Sequence, residues 1–104
     1  MLTLELLDPA SLELDQAAEW YEDRAVGLGR RFLDEAQSAL EAIATRPLGW
    51  SPWILPGIPT GVRHVPLRSF PYSVVFITDP RLVVVAFVHG SRDPAYWLDR
   101  LSSV

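Results

Sequence analysis

The run Leu82-Val83-Val84-Val85-Ala86-Phe87-Val88 carries no polar side chain at any position. Side chains of a strand alternate between its two faces, so a strand of this composition needs apolar cover on both sides. A chain of 104 residues that contains it must therefore place structure above and below one sheet, and the remaining sequence shows what is available.

Upstream, two segments have helical periodicity. Asp8-Pro9 reads as an N-cap followed by proline at the first helical position, where a missing N–H costs nothing. Leu14, Ala17, Ala18, Tyr21 and Ala25 then recur on one side as far as about Val26, with Glu13, Asp15, Glu19, Glu22 and Asp23 assigned to an acidic outer face. Gly27-Leu28-Gly29 interrupts the pattern. Leu28, Phe32, Ala36, Ala39 or Leu40, and Ile43 continue it up to Arg46-Pro47, and so short a break predicts an antiparallel helix hairpin. In front of the hairpin, Leu2, Leu4 and Leu6 alternate with polar residues as a half-buried strand does.

Pro47 to Thr60 is rich in proline, glycine and tryptophan and reads as a loop. Gly61–Arg68, Tyr72–Thr78 and Leu82–Val88 follow as β-rich runs, separated by Ser69-Phe70-Pro71 and Asp79-Pro80-Arg81. Connections that short require antiparallel neighbours, so the runs form a meander. Asp93-Pro94 repeats the helix start of Asp8-Pro9 and predicts a short helix to about Leu101. The expected fold is α+β in one domain over residues 1–104: N-terminal strand, antiparallel helix hairpin, three-stranded antiparallel meander and short C-terminal helix. The hairpin covers one face of the meander. The other falls to the loop and the short helix bearing Trp97 and Leu101, or to a partner.

Composition removes several chemistries. With no cysteine there is no disulfide, no thiolate nucleophile and no cysteine-based zinc site, and the two histidines lie in no metal-ligand spacing. We expect no metal and no cofactor. No apolar run approaches the roughly 20 residues of a membrane span, and Met1 to Asp8 lacks the basic start of a signal peptide, so the expectation is a soluble cytoplasmic protein with no membrane partner. The net charge of −4 opposes direct nucleic-acid binding, which relies on displacing counterions from phosphate. Every basic residue is arginine.

Five blocks occur in order along this frame: Ala18-Glu19-Trp20-Tyr21-Glu22, Gly27-Leu28-Gly29-Arg30-Arg31-Phe32, Gly61-Val62-Arg63-His64, Phe70-Pro71-Tyr72-Ser73-Val74-Val75-Phe76, and His89-Gly90-Ser91-Arg92-Asp93-Pro94-Ala95-Tyr96-Trp97. Together they resemble the succession of motifs in RelE/ParE toxins, and the match covers nearly the whole chain. The resemblance implies the toxin of a type II toxin–antitoxin pair, neutralised by a cognate antitoxin whose extended and helical tail wraps the toxin. One branch of the family cleaves messenger RNA on the ribosome. The ParE-like branch inhibits DNA gyrase and is not known as a hydrolase.

RNA cleavage needs a proton acceptor for the ribose hydroxyl, cations for the phosphorane and an acid for the leaving oxygen. At the positions that align with the basic groups of RelE-like nucleases this chain has His64, Pro66 and Ser73; only Arg92 and Tyr96 match. The resemblance is therefore closer to the ParE-like branch, with Arg63, Arg68, Arg92, Tyr96 and Trp97 as the target-binding surface. Trp20, Val83, Val85 and Phe87 are the residues expected to meet the antitoxin. The alternatives are a nuclease using Arg92, Tyr96 and His64, and a binding module that kept the fold without toxicity.

Trp20 adjoins Tyr21 on a helix, so the two cannot share the core, and Trp20 is left for the loop or a partner. Trp50 and Trp53 are either anchors for a partner or pins for the loop. Arg24, Arg30 and Arg31 stand beside Glu22, Asp23, Asp34 and Glu35, a spacing that local ion pairs explain. Ser91 is a turn residue.

Overall fold

A computed structural model describes residues 3–93 and 95–104. Strand β1 (Glu5–Leu6) leads into helices α1 (Asp8–Arg24) and α2 (Leu28–Thr45), a short 3-10 turn (Pro47–Gly49), strands β2 (Val62–Pro66), β3 (Tyr72–Ile77) and β4 (Val83–His89), and a terminal 3-10 helix (Leu98–Ser103). The sheet order is β1-β4-β3-β2, with β1 parallel to β4 and the meander antiparallel. The expected α+β frame is therefore present. Leu2 and Pro94 lie outside the described residues, so the starts predicted there for the first strand and last helix do not bear on it.

Several boundaries move for physical reasons. Helix α1 begins at Asp8, one residue earlier than expected, with Leu7 in the capping position and no side-chain cap. Asp8 thus acts inside the first turn, where a carboxylate favours the positive end of the helix dipole. At the other end of the chain Asp93 Oδ1 accepts from Ala95 N–H at 2.9 Å in a local turn, and the terminal helix, of 3-10 type, starts only at Leu98.

The helix hairpin is held by close approach. Ala10, Ala17, Ala18, Ala36 and Ala39 are buried between the helices and the sheet, around Tyr21, Phe32, Phe70 and Phe87. Gly29 lets the start of α2 lie on α1: a Cβ there would sit 2.5 Å from the Ala18 carbonyl oxygen. Glu22 on α1 accepts from Gly27 N–H and Gly29 N–H at 2.9 and 3.0 Å, so its carboxylate serves the free amides at the start of α2. Of the anticipated local ion pairs, Arg30–Asp34 forms at 2.8 Å.

The opposite face of the sheet has its own core of Val62, Val75, Ile77, Val83, Val85, Ala86, Val88 and Trp97, over which Trp53, Ile58, Leu101 and Val104 pack. The chain thus covers its second face with its own loop and C-terminal segment. Trp53 is the pin: its ring stacks on Trp97 at 5.9 Å and lies 4.9 Å from the His64 ring. Backbone bonds from Trp53 N–H to Val62 O (2.9 Å) and from His64 N–H to Ser51 O (3.3 Å) lay the loop along the free edge of β2. Trp50 packs against the helix-side core, so both loop tryptophans hold the loop down.

A β-bulge breaks the alternation of β4. Val75 pairs with Ala86 but Phe76 pairs with Val84, which leaves Val85 unopposed. Phe87 consequently turns to the helix side, away from the core that holds Val83 and Val85. Of the three strand residues expected to meet the antitoxin together, Phe87 therefore lies on the opposite face from Val83 and Val85.

Two outcomes follow. Gly29→Ala forces the two helices apart and should destabilise the chain by about 1–3 kcal/mol in urea unfolding, with Gly49→Ala, where an added Cβ would meet only the Arg46 side chain at 3.5 Å, as the near-neutral comparison. His64 Nδ1 is buried without a hydrogen-bond partner among the described residues, and burial depresses its pKa below the ordinary 6.5. The unfolded chain then takes up the proton first, so stability is intact above about pH 6.5 and falls as pH drops through that value toward the folded one. His64→Asn should flatten the dependence of unfolding free energy on pH between about 7.5 and 5.5, and an unchanged slope would contradict the assignment.

Candidate functional site

Between α1 and the ends of β3 and β4 lies an open groove of about 690 Å3. Gln16 and Trp20 form its helical wall, Tyr72 and His89 its floor, and Ser91, Arg92 and Tyr96 its far side. The sequence places these residues together because β3 and β4 pair Tyr72 with His89, and the turn after β4 sends Arg92 and Tyr96 back toward α1.

Arg92 and Tyr96 meet directly, with the guanidinium 4.0 Å above the ring centroid. Arg92 is exposed and forms no ion pair among the described residues; the pairs present are Arg30–Asp34, Arg81–Glu5 and Arg100–Glu13. A cation held on an aromatic face at the rim of a groove is suited to contact an anionic or aromatic group of a partner. His89 sits edge-on to Tyr72 at 5.1 Å. Its Nδ1 faces the Ser91 N–H at 3.0 Å, and because that amide can only donate, Nδ1 is an acceptor. The Ser91 hydroxyl, 2.7 Å from the same nitrogen, therefore donates to it. The His89-Gly90-Ser91 stretch is a self-bonded turn.

The wall of the groove depends on Glu13, which sequence reasoning assigned to the outer acidic face. The structure turns it inward. Its carboxylate takes two bonds from Arg100 (2.8 and 3.0 Å), one from the Phe87 N–H (3.1 Å) and one from the Tyr96 hydroxyl. Only 20% and 17% of the Arg100 and Glu13 side chains are exposed, and ions so placed are tolerated when every donor and acceptor is used. Burial first, and the Glu13 carboxylate second, drive the Tyr96 phenol far above its ordinary pKa, while the bond to Glu13 raises that of Arg100. Tyr96 is thus a neutral donor whose proton is committed to Glu13. The signal was in the sequence: position 13 lies three residues after Ala10 and four before Ala17, both on the buried stripe.

The other proposed positions are dispersed. Trp97 is fully buried in the far core, which removes it from any contact surface. Arg63 donates to the Trp50 carbonyl at the edge of β2, and Arg68 is exposed in the β2–β3 turn, where Glu35 holds the neighbouring Ser69 amide at 2.7 Å. Neither lines the groove. His64 stacks on Trp53 and pairs with Val75 of the far core, and it does not line the groove that holds Arg92 and Tyr96. Pro66 and Ser73 are cross-strand partners, and neither side chain carries a charge.

Val83, Val85 and Phe87 are 0–1% exposed and form no surface; Trp20, 51% exposed, does. It stands at the groove, not beneath the proline-rich loop, with the Arg24 guanidinium 4.1 Å from its ring. Among the described residues no helix is long and apolar enough to cross a membrane, and no group of histidine and carboxylate side chains is arranged to hold a metal.

No protein-family model matches the chain, and no curated protein matches it significantly. Among solved structures it is similar to a chain of the chromosomal ParDE TA system from P. aeruginosa, at 20% identity and a TM-score of 0.60, over 86% of this chain and 96% of that one. A likeness at that identity speaks for the arrangement of elements, and the order of strand, helix hairpin, meander and terminal 3-10 helix has the same meaning: this chain has the ParE-like toxin fold.

Proposed function

We propose that the chain is a ParE-like toxin that binds DNA gyrase and inhibits it without catalysing a reaction, and that a cognate antitoxin neutralises it in the cytoplasm. The observation that carries this reading is Arg92, exposed at the groove and stacked on the Tyr96 ring. Arg92 and Tyr96 are brought together, but His64 does not line their groove, the Tyr96 hydroxyl donates to Glu13, and His89, which does line it, has its Nδ1 engaged by Ser91. An RNA-cleaving site needs a proton acceptor, an acid and cations converging on one phosphate. A protein-binding surface needs only an exposed anchor on a rigid support, and Arg and aromatic residues serve that role often.

The fold supports the antitoxin part. Trp20 and the exposed Leu12 on α1 offer apolar surface on the outside of the hairpin, next to the groove. An antitoxin lying along α1 would cover both and obstruct Arg92. Val83 and Val85 would meet it only if the chain's own C-terminal cover were displaced, and Phe87 only if the helices were.

The purified chain should inhibit gyrase supercoiling, and Arg92→Ala should raise the half-inhibiting concentration by about tenfold or more, as loss of an interface anchor does. Cleavage of messenger RNA in translating ribosomes with no effect on gyrase would instead establish the nuclease reading. Unimpaired growth on expression without an antitoxin would establish a non-toxic binding module.

A further inference from the structure

The Tyr96 ring lies between two guanidiniums, Arg92 at 4.0 Å and Arg100 at 5.3 Å from its centroid. They differ in what else they touch. Arg100 has both carboxylate oxygens of Glu13 and the Val85 carbonyl at 3.0 Å, whereas the Arg92 guanidinium has, among the described residues, the Tyr96 ring and no hydrogen-bond acceptor. The hydroxyl of the same ring is held by Glu13, with the Phe87 carbonyl a weaker second contact at 3.4 Å. One carboxylate on α1 therefore fixes the tilt of the aromatic ring and occupies the cation on its inner side. The outer cation is left uncompensated at the groove.

From this geometry we propose that Glu13 is the positioning residue of the Arg92–Tyr96 surface: it orients the ring on which Arg92 is presented and keeps Arg100 from competing for Arg92's partner. The inference rests on the reading of Arg92 and Tyr96 as the target-binding surface, but the positioning itself is independent of what the target is. Glu13 touches no target. Its effect passes through Tyr96, and it reaches across the chain because β1 stops at Leu6. Beyond the bond from Leu7 N–H to Val84 O at 3.1 Å, the free edge of β4 is met by side chains, with Glu13 on the Phe87 amide and Arg100 on the Val85 carbonyl. The same carboxylate that closes the strand edge thereby sets the angle of the binding surface.

The test separates orientation from folding. Protons lying over an aromatic face are shifted upfield, so the Arg92 side-chain signals in NMR report its stacking on Tyr96. In Glu13→Gln, and in Tyr96→Phe, which keeps the ring and every charge, the Arg92 signals should move toward the values of an unstacked arginine. Glu19→Gln, an exposed change on the same helix, should leave them in place. The half-inhibiting concentration against gyrase should rise about tenfold in both variants, the size expected for one hydrogen bond to a charged group. Arg92 signals that stay in place in Tyr96→Phe would overturn the proposal, and that variant decides the matter if Glu13→Gln does not fold. If Arg92→Ala inhibits gyrase as well as the parent chain, the target reading falls while the NMR result still decides the role of Glu13.

Discussion

Strand β4 has to be buried on both faces, and the rest of the molecule is arranged around that requirement. Val83 to Val88 are all buried, and each such valine or phenylalanine removed from water contributes roughly 1.5–3 kcal/mol. On one face the cover is a pair of helices that come close because alanines line their contact and Gly29 leaves room for the Ala18 carbonyl. On the other it is Trp97, capped by Trp53. The edge of β4 is a third demand, since β1 spans only Glu5 and Leu6 and unpaired main-chain groups follow it. Side chains meet that demand: Glu13 takes the Phe87 amide and Arg100 the Val85 carbonyl. The opposite sheet edge, at β2, is closed by the backbone of the loop at Trp53. Exposed strand edges invite pairing with other chains, and here the edge groups beside Phe87 and Val62 are occupied.

Much of this frame was legible in the residues. The periodicity of Ala17, Tyr21, Phe32, Ala36 and Ile43 located the buried sides of both helices, and the turns around Pro71 and Pro80 located the meander. The two-sided burial of β4 followed from composition alone. What periodicity could not give was the facing of individual residues within β4, because a run in which every residue is apolar is compatible with a bulge anywhere along it. Hence Phe87 was placed with Val83 and Val85 and belongs with Tyr21 and Phe32 instead.

Charge misled in a similar way at the site. Glu13 is one of several acids on α1, and hydropathy sorts them together as solvated. Only the spacing from Ala10 and Ala17 marks it as inward, and its partners Tyr96 and Arg100 come from more than eighty positions away. Trp97 shows the reverse error: an aromatic beside Arg92 and Tyr96 in sequence was read as part of their surface. Within the tight turns that follow Asp93, Trp97 is fully buried in the far core, whereas Tyr96 packs only partly against that core and also lines the groove. Arg92 and Tyr96 remain as the pair the fold brings together, while Arg63 and Arg68 serve the loop edge and a turn.

The chain covers its own sheet, so the groove and not the sheet face is free for partners. Amide hydrogen exchange along residues 83–88, in the parent chain and in Trp97→Ala, tests it most directly. These amides should exchange only through global unfolding in the parent chain and lose about 3–5 kcal/mol of protection when the indole is removed. Rapid exchange at Val83 and Val85 in the parent chain, or protection there that survives the loss of Trp97, would contradict it.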